Sequence, residues 1–438
     1  MGCFMNKFCK SCFTNITLII LITGRVVNAN DLHENEQYVS RAQYEQLKKQ
    51  FKDEMSELKQ QVQFLRQKLS QMSPGQPSQA TNQQYKTDKD IADLKEEVKT
   101  LKAQNEALDD GTTGFLLTGY AFAGYSDSNN SNSSFNAGFN PIFLWRLRDD
   151  LIFEGELELE LEDDITHVSL EFAQLSYLFN DYVTIGVGKF LNPSNYFVEG
   201  LHPTWINKLP DRPITMGGVN SIQAGSQLGL QVRGGIPIGT MRGEYAFYVS
   251  NGPSMRDDGT LSFEDFTDGN NNKAVGGRIG WLPFTGFELG YGFEVAGVDD
   301  LNGDRLNVIT HVIDLNYLQT SKFLLGNIDI RGQYANRKID RSSSPTLAFE
   351  NKSSGGYAQI AYRPSLSGLP LLRDFESVLR YDWIELPDAQ DFNDEQRWTV
   401  GLNYYLAAST MVKFAYQFDD KQGVPNDDAL IFQVTSGF

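Results

Sequence analysis

From Thr112 onward the chain alternates apolar and polar residues with a period of two, segment after segment. Such alternation commits one face of each strand to an apolar surrounding and the other to water. Leu228, Leu230 and Val232 alternate with Gln227, Gly229, Gln231 and Arg233. Leu379, Tyr381 and Trp383 alternate with Arg380 and Asp382, and Val412, Phe414 and Tyr416 with Lys413, Ala415 and Gln417. About sixteen such segments follow one another, starting near Gly114, Asn136, Leu151, Val168, Tyr182, Gln223, Thr240, Asn272, Gly286, Arg305, Phe323, Gly355, Phe375, Gln396, Thr410 and Ala429. The connections between them alternate in length. Those at 148–150, 180–181, 282–286 and 407–410 are brief, whereas 127–135, 191–222, 251–271, 336–354 and 419–428 are long and polar. Short turns at one end and long loops at the other, on an even number of strands, describe a closed antiparallel barrel with lipid outside and water inside. A soluble sandwich shares the period but has no reason to alternate its loop lengths. The expected fold is therefore an all-β transmembrane barrel of about 16 antiparallel strands over residues 111–438, with an N-terminal α-helical coiled coil ahead of it.

That prefix divides into four parts. Lys7 and Lys10 precede the apolar run Ile16 to Thr23, and Val27-Asn28-Ala29 supplies small residues before a cut. Residues 1–29 read as a secretory signal peptide, the run being too short to span a bilayer as a helix; an uncleaved anchor is the alternative. Cys3, Cys9 and Cys12 all fall inside it, so the processed chain has no disulfide and no thiolate chemistry. Residues 30–72 carry apolar positions in steps of three and four, from Tyr44 through Leu47, Phe51, Met55 and Leu58 to Met72. Residues 73–86 form a linker opened by Ser73-Pro74-Gly75. Residues 87–110 form a second helix with Ile91, Val98 and Asn105 at heptad position a and Leu94, Leu101 and Leu108 at d. So narrow a stripe needs partner helices, and a polar a position fixes register. These six residues are the expected trimerisation seam of a homotrimer stalk; a hairpin of the one chain folding on itself is the alternative.

Composition excludes several functions. The formal charge of −18 argues against nucleic-acid binding, and removing Lys7, Lys10 and Arg25 with the leader makes the remainder more acidic still. His33, His167, His202 and His311 have no ligand spacing, so no metal or other cofactor is expected. Asp300-Leu301-Asn302-Gly303-Asp304 resembles part of a calcium loop but lacks its distal Glu and flanking helices, and reads as a turn. No nucleophile elbow or phosphate-cradling loop is present, and no catalytic residues are assigned. The chain reads as a non-enzyme, a triad assembled from distant strands being the one enzymatic alternative.

Three stretches carry a family resemblance: Glu171-Phe172-Ala173-Gln174-Leu175, Gly188-Lys189-Phe190-Leu191-Asn192-Pro193 and Leu201-His202-Pro203-Thr204-Trp205-Ile206-Asn207-Lys208-Leu209-Pro210. They resemble the phosphate-selective porin O and P superfamily, and the prefix is similar to that of trimeric coiled-coil porins. The resemblance implies a trimeric, sixteen-stranded barrel whose third loop, here 191–222, folds inward and narrows the pore. Those porins carry a basic ladder in the lumen. Here Glu154, Glu156, Glu158 and Glu160 make an acidic stripe instead, so phosphate selectivity is not expected.

The function expected is an outer-membrane porin of a Gram-negative cell, a water-filled channel for passive diffusion of small hydrophilic solutes or ions, with its coiled coil in the periplasm. The alternative is a structural barrel that tethers the envelope to the cell wall. Candidate pore-lining and constriction residues are Glu154, Glu156, Glu158 and Glu160, then Lys189, Lys208 and Arg212, with Glu199 opposing. Arg233, Arg242, Arg278, Arg331, Arg380 and Arg397 complete the set, with Trp205, Ile206 and Leu209 expected to anchor the loop. The acidic stripe implies a mild cation preference. Expected partners are outer-membrane lipid, a second and third copy of the chain, and peptidoglycan. The alternating strand ending in Phe438 adds the barrel-assembly machinery.

Overall fold

The structure, a computed structural model, describes residues 114–162, 165–216, 221–263, 270–387 and 393–438. The leader, the linker and both heptad segments, including Ile91, Leu94, Val98, Leu101, Asn105 and Leu108, lie outside the described residues.

Eighteen strands are present among the described residues. The first seven are β1 (Gly114–Ser128), β2 (Ser134–Arg148), β3 (Leu151–Glu162), β4 (Ile165–Asn180), β5 (Val183–Leu191), β6 (Ser226–Ile238) and β7 (Met241–Ser250). A small hairpin follows, β8 (Ser254–Met255) with β9 (Leu261–Ser262). Then come β10 (Ala274–Leu282), β11 (Phe287–Asp299), β12 (Arg305–Ser321), β13 (Gly326–Ile339) and β14 (Lys352–Arg363). The last are β15 (Phe375–Glu385), β16 (Glu395–Ala407), β17 (Thr410–Lys421) and β18 (Ala429–Gly437). All but the hairpin close into one barrel, each strand antiparallel to its neighbour in the chain, with β7 paired to β10 and β1 to β18. Closure leaves no edge with unpaired backbone groups, which a lipid surrounding could not hydrate.

The wall has 16 strands, as the alternation predicts. Expected starts coincide at Gly114, Leu151, Arg305, Phe375, Thr410 and Ala429. The largest offsets are three residues, at Val168, Gln223, Phe323 and Gly355. Gln223 and Gly355 adjoin long connections, where alternation fades into loop before the pairing ends, whereas Val168 and Phe323 adjoin brief ones. On β15 the inward positions Glu376, Val378, Arg380, Asp382 and Ile384 are buried, while Leu379 is exposed on the outside. Outward aromatics gather at both ends of the wall. Tyr334, Trp383, Tyr381 and Trp398 stack in a row toward the long loops. Phe284, Phe287 and Tyr317, and the pair Phe375 and Tyr404, sit toward the short turns. Two aromatic girdles around an apolar band mark the two interfaces of a membrane.

The interior is filled chiefly from one connection. After β5 the chain leaves the wall at Asn192 and returns at Ser226. It carries a short helix, α1 (Tyr196–Leu201), capped by the Asn195 side chain, which accepts from the Val198 N–H. This inward loop lies over buried apolar positions of the far wall. Phe197, Val198, Leu201 and Met216 pack with Tyr357, and Leu209 packs with Ala361, Val378 and Ala415. Each fully buried residue of this kind contributes roughly 1.5–3 kcal/mol of apolar transfer. Trp205 lies flat against Gly437, where a Cβ would meet the indole at 2.9 Å. Trp205 and Leu209 thus hold the anchoring positions expected of them. The β8–β9 hairpin makes a second apolar plug, with Leu261 packed among Ala274, Val298, Leu306, Val308 and Ile339 near the long-loop end.

Candidate functional site: the lumen and its inward loop

The inward loop is bolted to the wall from β11 to β18 by polar contacts. Lys208 Nζ donates to Glu376 at 2.8 Å and to Tyr405 Oη at 3.2 Å, and lies 3.7 Å from Asp329. Burial alone would lower the pKa of Lys208, but Glu376, Tyr405 and Asp329 outweigh it and hold the ammonium above its ordinary value. The Asp211 carboxylate takes Arg380 at 3.0 Å and Arg397 at 3.5 Å. Lys413 donates to the backbone carbonyls of Thr204 and Leu209. Thr204 also meets Thr435, and Tyr196 donates to Glu288 at 3.1 Å while its ring lies beneath Arg278.

Several wall charges neutralise one another along a strand. Residues two apart share a face of a strand, and here they carry opposite signs. Arg331 forks onto Asp329 at 2.8 and 2.7 Å, Arg380 donates to Asp382 at 2.7 Å, and Arg397 donates to Glu395 at 2.8 Å. Arg278 instead reaches across strands to Asp314 at 2.6 Å and Glu288 at 2.7 Å. The expected pore residues Arg278, Arg331 and Arg380 do point inward. They are spent on these pairs and on the loop, Arg380 being 0% exposed. Arg397 keeps more contact with solvent than Arg380 does.

The opposite side of the loop faces β3 to β7, where charged groups stay partly open. Arg212 pairs with Glu158 at 3.1 Å, Arg233 with Glu199 at 2.7 Å, and Arg242 with Glu244 at 2.8 Å. The arginines of these pairs are 34%, 28% and 28% exposed. Glu160 and Glu171 are half-buried on the same side. The acidic stripe of β3 therefore has two parts. Glu154 is buried and accepts from Gln174, and Glu156 is buried 3.6 Å from His202 Nε2. Glu158 and Glu160 lie further along toward the β3–β4 connection, where Glu160 faces His167 in the register.

Lys189 departs from expectation. It shares a face of β5 with Val183, Ile185 and Val187, while Thr184 and Gly186 are the buried positions. That parity puts Lys189 on the outer surface, where it donates to the Leu170 carbonyl oxygen, and not at the constriction. The inward residue there is Phe190, fully buried against Tyr248. Sequence reasoning passed over two groups that the loop brings to the wall. Asp211 sits between two basic wall residues and carried no signal beyond lying in an inward loop. His202, spaced like no metal ligand, turns Nδ1 onto the Val198 carbonyl and Nε2 toward Glu156. Among the described residues no cluster of His, Cys, Asp and Glu could hold a metal ion.

The barrel is similar to solved outer-membrane channels at low identity. The outer membrane channel DcaP of Acinetobacter baumannii is 12% identical, with a TM-score of 0.51 over 75% of this chain and 98% of that one. An anion-selective porin from Comamonas acidovorans is 12% identical, with a TM-score of 0.49 over 75% and 100%. OmpF of Salmonella typhi, solved in complex with daunomycin, is 15% identical, with a TM-score of 0.49 over 75% and 99%. No family model matches the chain, and no curated protein does. The likeness to DcaP is one of fold: a closed antiparallel barrel of the outer-membrane porin type.

Proposed function

We propose that the chain is an outer-membrane porin. Its aqueous path runs between the inward loop and the wall from β3 to β7, and it passes small hydrophilic solutes with a mild preference for cations. The observation that carries this reading is the asymmetry of the lumen. Charged groups against β11 to β17 are buried in mutual pairs, while Arg212, Arg233, Arg242 and Glu244 stay about a third exposed on the other side. On that side Glu158, Glu199 and Glu244 answer the three arginines one for one. Glu160 and Glu171 lie half-buried on the same side, and a narrow low-dielectric channel focuses the field of the charges that line it. The reading extends to a homotrimer, a secretory leader and a periplasmic coiled coil, and to the coiled-coil relatives of the phosphate-selective porin superfamily without their phosphate selectivity.

Reversal potentials across a planar bilayer under a potassium chloride gradient test it. The wild type is expected to favour potassium modestly, and Glu158→Gln with Glu160→Gln to bring the preference close to neutral. A clear chloride preference in the wild type overturns the selectivity, and absence of conductance overturns the porin.

A further inference from the structure

Two neighbouring connections at the short-turn end hold large apolar side chains out of the fold. The β12–β13 turn reads Lys322-Phe323-Leu324-Leu325, with Phe323 93% exposed and Leu325 53%. The β14–β15 connection, 364–374, adds Leu369 at 63% and Leu371 at 66%. The two are joined, since the Leu366 N–H donates to the Leu325 carbonyl at 2.9 Å. Surfaces that face only water rarely gather large apolar residues into one patch, so such a patch marks a contact. The backbone gives a second, independent sign. Leu325 has a φ of 53°, in the left-handed region where a bulky side chain is strained. Glycine would turn there freely. A leucine offsets that strain only where its side chain leaves water.

The place of the patch says what covers it. Tyr362 stands on the outer face of β14, in step with Ile360, which is 46% exposed. Its hydroxyl donates to the Leu324 carbonyl, which ties the β12–β13 turn to the outer face of the wall. The aromatic girdle at this end includes Tyr317 on β12 and Phe375 on β15. The patch therefore continues the lipid-facing surface past its girdle. Its charges suit the same neighbour. Lys322 is exposed beside Phe323, and Arg373 is half-buried, its Nε–H on the Ser367 carbonyl at 2.6 Å. The single acid of the two segments, Asp374, takes Arg363 at 3.1 Å. Apolar side chains bordered by cations match a phospholipid leaflet, acyl chains within and phosphates at its rim.

We propose that the β12–β13 and β14–β15 connections form an apolar foot that inserts into the phospholipid leaflet on the short-turn side, with Lys322 at its phosphates. The foot rests on the reading of the wall as membrane-spanning and is independent of conductance.

Single cysteines in the processed chain, labelled with nitrobenzoxadiazole and placed in nanodiscs of phosphatidylcholine and phosphatidylglycerol, test it. Phe323→Cys and Leu371→Cys report on the foot. Asp181→Cys, exposed in the β4–β5 turn, is the aqueous reference, and Ile313→Cys, 53% exposed on the outside of β12, reports insertion of the wall. Lipid brominated on its acyl chains should quench the labels at Phe323 and Leu371 several-fold more than the label at Asp181. Iodide should do the reverse. Lys322→Glu should lose part of the quenching at Leu371, and an unchanged value removes Lys322 from the proposal. Iodide reaching Phe323 and Leu371 as readily as Asp181 overturns the foot by leaving it in water. Labels there that are shielded from iodide yet untouched by bromine overturn it too, because protein then covers the patch, whether residues 30–110 of the chain or a second copy. Bromine quenching at Ile313 alone fails the foot and spares the wall, whereas none at Ile313 fails the membrane reading as well.

Discussion

Replacing Lys208 by methionine removes the charge that fastens the inward loop to Glu376 while keeping the length of the side chain. At 2.8 Å and an effective dielectric of about 20, the gross attraction is about 6 kcal/mol. The net cost is smaller, because the lysine no longer has to be desolvated. What dominates is the carboxylate left behind. Glu376 is 3% exposed and retains Asn403 and Tyr405 as donors, but no cation. Deleting one partner of a buried pair typically costs about 3–5 kcal/mol. Asp329 suffers less, since Arg331 still forks onto it. Equilibrium unfolding in urea with the barrel in detergent should show that loss, and single-channel records should show added current noise from an unfastened loop. Adding Glu376→Gln should restore all but about 1 kcal/mol, because glutamine keeps an acceptor for Asn403 and Tyr405 without a stranded charge. A Lys208→Met barrel within about 1 kcal/mol of wild type, with quiet current, would refute the reasoning.

Other consequences can be measured separately. Leu209→Ala should cost about 2–5 kcal/mol in the same unfolding assay, since it empties the apolar seat formed by Ala361, Val378 and Ala415. Gly401→Val should unseat the loop at the same point, because even a Cβ at Gly401 would meet Leu209 at 2.5 Å; crystallography or raised channel noise would register it. Asp300, in the β11–β12 connection, is held at a pKa of about 2 by Ser342, Ser343 and the N–H groups of Asn302 and Asp304. A depressed carboxylate stabilises the fold above its ordinary pKa of 3.8 and loses that contribution as pH falls toward 2. Protection against hydrogen exchange at 300–304, relative to the intrinsic rate at each pH, should therefore be constant from pH 7 to 5 and fall between 4 and 2. Phe438→Ala should lower the yield of assembled barrel in cells, because it removes the ring that stacks on Phe139 at the β1–β18 seam.

Much of the wall was legible because pleat parity is a local property. A strand such as Trp398 to Tyr404 declares both faces within seven residues, and sixteen repeats of that signal leave little freedom in topology. The same rule places Lys189 correctly when applied strictly, since it falls in step with Val183, Ile185 and Val187. Assigning it to the constriction let the adjacent loop outweigh the parity of its own strand. The i, i+2 pairs were also present in the sequence, as Arg242 with Glu244, Asp329 with Arg331 and Arg380 with Asp382. Naming these arginines as pore-lining overstated how many of them face water. The docking of the inward loop was not legible. Asp211 meets Arg380 from 169 residues away and Lys208 meets Glu376 from 168. No periodicity encodes such distances; only the closed barrel brings those side chains together.

The position of the water path is the claim on which the functional account turns, and accessibility of single cysteines tests it most directly. All three natural cysteines lie within the first 12 residues, so introduced thiols in a processed chain have no background. With cysteine at Glu158 or Arg242, a charged methanethiosulfonate added to an open channel in a planar bilayer should step the current down within minutes. With cysteine at Thr399 or Gln359, which are 0% and 3% exposed on the opposite wall, the current should not change. Reaction at Thr399 and Gln359, with Glu158 and Arg242 inert, would place the water on the other side of the loop and contradict the account.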